Sequence, residues 1–435
     1  MRSTTFLTCL AIAFPHLAFA QAGAGSSEPA AEEDRGRQGV EIVGHVIKPI
    51  PIEWSEERMA RLALPDGFDI DVFARDLENP RMIRVADDGA VYVTQRDPGN
   101  VLMLRDNDDD GTADEQQIVV EREGLHGIEI DDDTVYLMTV KEVFRTERQD
   151  DGSFDELETI ADDFPEGGQH PNRMIVMGPD GNLFISVGST CNACGETNEE
   201  NATIVSMAPD GSAREIFASG LRNTIGYGFQ PSTGQLYGFD HGIDWLGDNE
   251  QHEEFNRIEQ GVRYGWPYVY ALSRFNPQDT PPDSSFSEYA DGSEEPIGLH
   301  TPHAAPMQMA FYTGDSYPED YHGDAFVAFR GSWNRQPPSG YEVMRVDFEN
   351  GEPVGMEPFV TGFLMQDDAS PTGWGNMGRL AGLAQGPDGA RYLSDDTGGV
   401  IYRIQYVGDK ALDRSEPEFT NADSGELNLG LVSPN

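Results

Sequence analysis

The chain has 435 residues, 77 acidic against 29 basic, for a formal net charge of −48. Such a charge repels nucleic acid and anionic membranes and excludes both as partners; it suits a protein kept soluble in salty surroundings, where self-repulsion is screened. At this length, with 38% hydrophobic residues, the chain can bury one large core or two ordinary ones.

In chain order, residues 1–20 read as an export signal. Arg2 supplies the positive end, "FLTCLAIAF" the apolar run and "AFA" the small-residue cleavage site before Gln21. The run is too short to span a bilayer, and no other segment is long and apolar enough to do so. The expected location is periplasmic or secreted. Residues 21–45 are small, polar and charged and read as a disordered leader. Residues 46–408 form the folded domain, and residues 409–435 a polar tail.

Within the folded domain one pattern recurs six times: an apolar strand, a tight turn, then a strand rich in β-branched and aromatic residues. The copies are "RMIRVADDGAVYVTQRD", "GIEIDDDTVYLMTVKEVFR", "RMIVMGPDGNLFISVGS", "IGYGFQPSTGQLYGFDHG", "MQMAFYTGDSYPEDYHGDAFVAFRGS" and "LAGLAQGPDGARYLSDDTGGVIYRI". Their Asp-Gly, Asp-Asp and Thr-Gly turns suit hairpins, and helical periodicity is nearly absent. This predicts an all-β fold, a six-bladed β-propeller of four-stranded antiparallel blades, in preference to a β-sandwich. The acidic insertion Ser273–Gly298 shows no readable fold.

A cationic or imidazole side chain precedes each first strand: Arg81, His126, His170 with Arg173, Arg222 with Asn223, His303, and Arg379. If the first strands are innermost, these groups converge on one pocket. A cationic ring inside so acidic a protein suits an anionic ligand, with local arginine–carboxylate pairs as the alternative.

In "RDNDDDGTADEQ", Asp106, Asp108, Asp110, the Thr112 carbonyl and Asp114 match the early ligand positions of a calcium loop, although Gln117 stands where a bidentate glutamate belongs. The alternative is a solvated acidic turn. Cys191 and Cys194 are spaced C-x-x-C; in an exported chain this reads first as a disulfide, with a redox-active pair also open.

The residues "H-x-x-R-x-x-x-x-GPDG" from His170, Arg222-Asn223, "P-x-x-G-x-L", Gly242, "E-F-N-x-I-x-x-G-x-x-Y-G-W-P", "FRGSWNRQPPSGYEVMRV" and "SDDTGGVIYRI" together carry a resemblance. From about Leu64 to Tyr406 the chain resembles the quinoprotein sugar dehydrogenases: soluble aldose dehydrogenases and, more closely, L-sorbosone dehydrogenase-like proteins, which use pyrroloquinoline quinone (PQQ) and calcium. The resemblance implies His170 as catalytic base, Arg222 and Asn223 against the quinone oxygens, and Arg379 gripping the cofactor. Arg330 lies near the family's carboxylate-binding lysine, with Arg335 as a rival register. The family's cofactor-contacting glutamine has no counterpart in register; Arg122 aligns poorly there, and His126 is the alternative. The carbonyls of Gly242 and Ile243 correspond to those that hold the family's active-site calcium, with isoleucine where the aldose dehydrogenases have proline.

The implied function is oxidation of an aldose or an aldehyde sugar such as sorbosone, with electrons leaving to a periplasmic cytochrome or a quinone. The ring suits a planar quinone with three carboxylates. Trp245, Trp333 and Trp374 are candidate walls for the sugar, and at most one is expected to serve. The competing classes are a calcium-dependent propeller lactonase or hydrolase, which would need several inward carboxylates, and a non-catalytic glycan-binding propeller.

Overall fold

The structure is a computed structural model and describes residues 42–418 and Thr420. The expected export signal and most of the leader and tail lie outside these residues. Among the described residues, six four-stranded antiparallel sheets form the framework of the fold. Their first strands are Pro80–Val85, Gly127–Asp131, Ile175–Met177, Thr224–Phe229, Pro306–Phe311 and Leu380–Gln385, and we number the sheets 1 to 6 in that order. Each first strand opens one of the six sequence copies.

Burial is graded across each sheet. The second strands Val91–Gln95, Leu183–Val187, Leu236–Asp240, Ala325–Phe329 and Arg391–Asp395 are buried at every residue. By contrast, Glu115–Glu121 and Glu158–Ala161, the fourth strands of sheets 1 and 2, are mostly exposed. Sheets covered on both faces need apolar residues on both, which is why the second strands read as continuous apolar runs rather than as alternating ones.

Three of the turns obey one rule. At Asp88-Gly89, Asp180-Gly181 and Asp388-Gly389 the glycine has φ of +84°, +78° and +77°. The aspartate in each case accepts a hydrogen bond from the N–H two residues on, of Ala90, Asn182 and Ala390. A side chain at the glycine would be strained, so Asp-Gly recurs.

First strands touch in succession: sheet 1 meets sheets 2 and 6, sheet 2 meets sheet 3, sheet 4 meets sheet 5, and sheet 5 meets sheet 6. Side chains tie them across the centre. Gln308 of sheet 5 accepts from the N–H groups of Ile83 and Leu383 and donates to the Ile83 carbonyl, joining sheets 5, 6 and 1. Tyr227 of sheet 4 donates toward the carbonyls of Met174 and Phe184 and accepts from the Ser186 N–H, all in or beside sheet 3. The arrangement is propeller-like.

Chain ends are sewn together in sheet 6, whose fourth strand is Phe68–Ala74, paired antiparallel with Val400–Tyr406 in the register Phe68↔Tyr406. Phe68 then packs edge-on against Tyr317 and Phe359 at 4.7 and 5.0 Å between ring centres. Edge-to-face contacts of this kind contribute beyond area burial, about 0.5–1.5 kcal/mol each.

The edges of the folded domain and the acidic insertion add detail to the sequence reading. The leader's end is not free: His45 bonds Asp248 through its N–H (2.9 Å) and its ring Nδ1 (2.5 Å), and the Val43 carbonyl accepts from the Asp248 N–H. The start of the tail also docks, with Arg414 donating to Asp69 and to the Met59 carbonyl, and Thr420 donating to Glu342. The insertion Ser273–Gly298 does fold. It completes a short hairpin (Val269–Tyr270 with Arg274–Phe275), forms the helix Phe286–Asp291, and ends in Gly298–His300, the fourth strand of sheet 4. A capping box, Ser285 with Glu288, starts that helix; its S-x-x-E pattern was readable in the sequence.

Candidate active site

At the starts of the first strands, on one side of the sheets, cationic groups gather around one carboxylate. Asp396, fully buried, accepts from Arg81 and takes a two-pronged contact from Arg330, at 2.7 Å (Nε) and 3.1 Å (Nη2). Burial alone would raise the Asp396 carboxyl, but Arg81 and Arg330 outweigh it and hold it at about 2. Asp396 is therefore ionised and already fully employed. It directly follows the second strand of sheet 6, within "SDDTGG".

Arg379 stands beside this group with no carboxylate of its own among the described residues. Its Nη2 donates to the Gly331 carbonyl (2.6 Å) and its Nε to the Arg330 carbonyl (3.3 Å), and the guanidinium lies 5.9 Å from the Tyr341 ring centre. Burial, then the neighbouring Arg330, lowers it to about 10. It remains charged at neutral pH and is short of an anion.

Two buried aspartates set the arginine backbones. Asp240, closing the second strand of sheet 4, accepts from the N–H groups of Arg222 and Asn223 at 2.7 Å each and from the Thr224 hydroxyl. Asp395 does the same in sheet 6 for the N–H of Arg379, at 2.8 Å. Sequence reasoning missed Asp240, Asp395 and Asp396; the repeated strand endings "GFDH" and "LSDD" were the signal.

His170 is half-buried. Its Nδ1 lies 3.0 Å from the Ser189 carbonyl and 2.8 Å from the Ser189 hydroxyl, which itself donates to the Cys191 carbonyl at 2.8 Å. A carbonyl only accepts, so Nδ1 carries the proton and Nε2 keeps a lone pair. Burial, then the charge on Arg222, lowers His170 to about 2. The ring is thus a neutral acceptor at any ordinary pH. Gly188 leaves room beside it: a Cβ there would lie 2.7 Å from the His170 Cβ and 2.9 Å from Asn223 Oδ1. That Oδ1 is buried without a hydrogen-bond partner.

Arg222 is buried and held by Asn192, at 2.9 Å to the carbonyl and 2.7 Å to Oδ1, and by Asp244 at 3.0 Å. His241, which the sequence did not single out, donates from Nδ1 to the Asn223 carbonyl (2.6 Å) and feels the charges of Arg222, Arg81 and Arg330.

Other expected residues differ. His126 has both ring nitrogens occupied: Nδ1 bonds the Arg173 carbonyl (2.9 Å) and Nε2 accepts from Arg81 (3.2 Å). It orients Arg81 and has no ring nitrogen left for a ligand. Arg335 lies apart from the group, donating to the carbonyls of Asp248 (2.8 Å) and Pro337 (2.5 Å); its charge, after burial, helps to lower the neighbouring His252, His300 and His303. Of the two rival registers, only Arg330 stands with the cluster. His303 bonds the Gly247 carbonyl and keeps Arg335's company.

Gly242 donates its N–H to Glu253 (2.8 Å) and Ile243 to Gln251 (3.2 Å), so the carbonyls are what this turn has left to offer a cation. A Cβ on Gly242 would sit 2.4 Å from the Gln251 carbonyl oxygen, which requires glycine. In the acidic loop, between the third and fourth strands of sheet 1, carboxylate oxygens of Asp106, Asp108 and Asp114 come within 4.8 Å of one another. Asp110 is not in that group; its Oδ1 accepts from the Thr112 N–H. Cys191 and Cys194 form a disulfide. Trp245, half exposed, meets Trp333 edge-on at 5.1 Å, and Asn334 donates to the Asp244 carbonyl, so both indoles stand by Arg222. Trp374 lies elsewhere, in a strand paired with Ile50–Pro51.

A buried carboxyl, Glu254, underlies this region. Its Oε1 accepts from the Ala271 N–H (2.6 Å) and from Gln251 (3.1 Å), and burial raises it to about 8. A raised folded value means that its stabilising contribution is complete below the unfolded value near 4.5 and is lost as pH rises through about 8. Glu254→Gln keeps both bonds at its own Oε1. We expect the variant to gain on the order of 4 kcal/mol over the parent at pH 8 and almost nothing at pH 4.5, read from thermal unfolding at the two pH values. Equal gains at both pH values would contradict the assignment.

A family profile described as TrAA12-like matches residues 62–407, most of the chain. The chain belongs to the TrAA12-like family. Among similar proteins of this TrAA12-like chain is an uncharacterized protein of Borreliella burgdorferi, 27% identical over 372 residues, covering 81% of this chain and 93% of that protein. The PQQ-dependent pyranose dehydrogenase of Coprinopsis cinerea is 33% identical over 124 residues, 26% of this chain and 16% of its own length. The solved holo form of its PQQ domain superposes with a TM-score of 0.67 at 20% identity, covering 80% of this chain and 97% of that one. The calcium structure of the Trichoderma reesei family AA12 enzyme gives 0.68 at 20% identity, covering 80% and 97%. The structural likenesses establish the fold. The family and its neighbours are those of quinoprotein sugar dehydrogenases. Among the described residues no helix is long and apolar enough to cross a membrane.

Proposed function

We propose that this chain is a PQQ- and calcium-dependent dehydrogenase of an aldose or an aldehyde sugar, built on a closed six-bladed propeller and exported to the periplasm or beyond. The observation that carries the reading is Arg379: a part-buried cation with no carboxylate of its own among the described residues, beside the Arg81–Asp396–Arg330 group and across the same site from a histidine with a free lone pair. A cation drawn partly out of water without a paired carboxylate is costly, so this arrangement calls for an anionic ligand. A planar tricarboxylate quinone fits the donor set, with Arg379 and Arg330 toward its carboxylates and Arg222 and the Asn223 amide N–H toward its quinone oxygens.

When bound, PQQ supplies a two-electron acceptor, and the protein supplies placement. His170 Nε2 takes the proton of the sugar hydroxyl; its Nδ1–H, fixed on Ser189, steadies the imidazolium that results. The carbonyls of Gly242 and Ile243 would hold calcium at the site, and Asp106, Asp108 and Asp114 a second ion in the sheet 1 loop. Trp245 and Trp333 would wall the sugar. Electrons leave to a periplasmic cytochrome or a quinone. The disulfide supports an oxidising compartment. A metal hydrolase would need free inward carboxylates, and Asp396 is bound to two arginines.

The test is a titration of cofactor-free protein with PQQ, with and without calcium, followed by dye reduction across a panel of aldoses. Calcium-dependent PQQ binding and sugar-dependent dye reduction are expected. No PQQ binding and no activity on any sugar or alcohol would end the reading.

A further inference from the structure

We propose that the disulfide-clipped loop Ser189–Glu196 is the positioning element of the site, fixing the proton of the His170 ring on one side and the fork of Arg222 on the other. This rests on the reading of His170 as base. The loop lies outside the strands and helices, so cross-links must hold its shape. Cys191 is bonded to Cys194, and the Thr190 N–H and hydroxyl both donate to the Glu196 carboxylate at 2.7 Å. The Thr190 carbonyl accepts from the Gln169 N–H at 2.8 Å, tying the loop to the residue before His170.

Two relays leave this loop. In the first, the Cys191 carbonyl accepts a hydrogen bond from the Ser189 hydroxyl (2.8 Å), which turns the Ser189 oxygen lone pairs outward. His170 Nδ1 then faces two acceptors, that oxygen at 2.8 Å and the Ser189 carbonyl at 3.0 Å. Both demand a proton on Nδ1, so Nε2 is left as the lone-pair nitrogen that a base needs. Were the Ser189 hydroxyl free to rotate, it could donate to Nδ1 and compete with the Ser189 carbonyl for it, admitting the opposite tautomer, which has no lone pair on Nε2. In the second relay, Asn192, set between the two cysteines, receives Arg222 Nε on its carbonyl and Nη2 on its Oδ1, and the same Oδ1 receives the Asp244 N–H at 2.9 Å. Asp244 in turn ion-pairs with Arg222 at 3.0 Å. The relays separate the effects: Ser189 acts on the base, Asn192 on the cation.

Ser189→Ala leaves the disulfide intact. It is expected to lower kcat about tenfold with PQQ affinity unchanged, and Ser189→Thr to restore it. Asn192→Ala is expected to weaken PQQ binding about tenfold with kcat at saturation held. The tautomer is read without any cofactor, by NMR of 15N-histidine-labelled protein with His170 assigned through His170→Ala. The parent should show protonated Nδ1 and bare Nε2; Ser189→Ala, which keeps the carbonyl acceptor of residue 189, should show a small measurable fraction of the Nε2–H form, and Cys191→Ala/Cys194→Ala, which frees the loop and the Ser189 hydroxyl, a larger one. If His170 keeps the same tautomer and kcat in both variants while His170→Ala has lost turnover, the positioning claim fails and the base reading stands. If His170→Ala retains turnover, the base reading fails, and the NMR signature alone decides whether the loop sets the tautomer. Should the cysteine variant not fold, the Ser189 pair decides the matter.

Discussion

His170→Ala is expected to bind PQQ as the parent does and to turn over sugar about 10²–10⁴-fold more slowly, the range for loss of a positioned general base. The reason is geometric. Nε2 is the only ring nitrogen left free once Nδ1 is spent on Ser189, and the ring lies in the site alongside Arg222 and Asn223. The charge state agrees. Burial and then Arg222 push the imidazole down to about 2, so its basic form is present well below neutrality. The acid limb of the kcat/KM profile should therefore fall below the ordinary histidine range near 6.5. Titration of PQQ by absorbance, beside steady-state kinetics at saturating cofactor, checks both halves. Unchanged turnover would return His170 to a packing role at the entrance of sheet 3.

Asp396→Ala is expected to cost about 3–5 kcal/mol of stability, as removal of one partner from a buried ion pair does. Arg81 and Arg330 would be left with no carboxylate, while Arg379 and His126 stand within reach of the same charge. The second half of the prediction separates a structural carboxylate from one that balances a ligand site. If the surrounding arginines form an anion site, PQQ should raise the unfolding midpoint of the variant more than that of the parent, because its carboxylates replace the lost one. Urea unfolding of both proteins with and without PQQ measures this. A variant as stable as the parent, or one that PQQ does not stabilise, contradicts the arrangement.

Much of the fold was legible. The three Asp-Gly turns are legible as hairpins because glycine takes the positive φ that the turn needs at no steric cost and a short acceptor side chain closes it, a constraint local to a few residues. The convergence of Arg81, His126, His170, Arg222 and Arg379 was legible for a related reason. Equivalent positions in repeated sheets fall at the same end of the assembly, so register along the chain translates into proximity in space. What failed to show was everything that depends on which neighbour a side chain finds. His126 and Arg335 carry the right chemistry for an anion, yet one is consumed by Arg81 and the other by the carbonyls of Asp248 and Pro337. Asp395 and Asp396 are adjacent and chemically alike. One caps the Arg379 N–H and is raised by burial to about 7; the other is held at about 2 by two arginines.

Strand positions, turn chemistry and the row of cationic groups at the strand starts were determined by the amino-acid sequence alone, because each rests on residues close together in the chain or on their repetition. Which arginine stays short of an anion, which histidine keeps a lone pair, and why a disulfide loop matters to both were decided only by the tertiary structure. Those outcomes turn on hydrogen-bond partners far apart in sequence, such as Arg330 with Asp396 and Arg222 with Asn192, and in a low-dielectric interior the partner, more than the residue type, sets what a charged group can do.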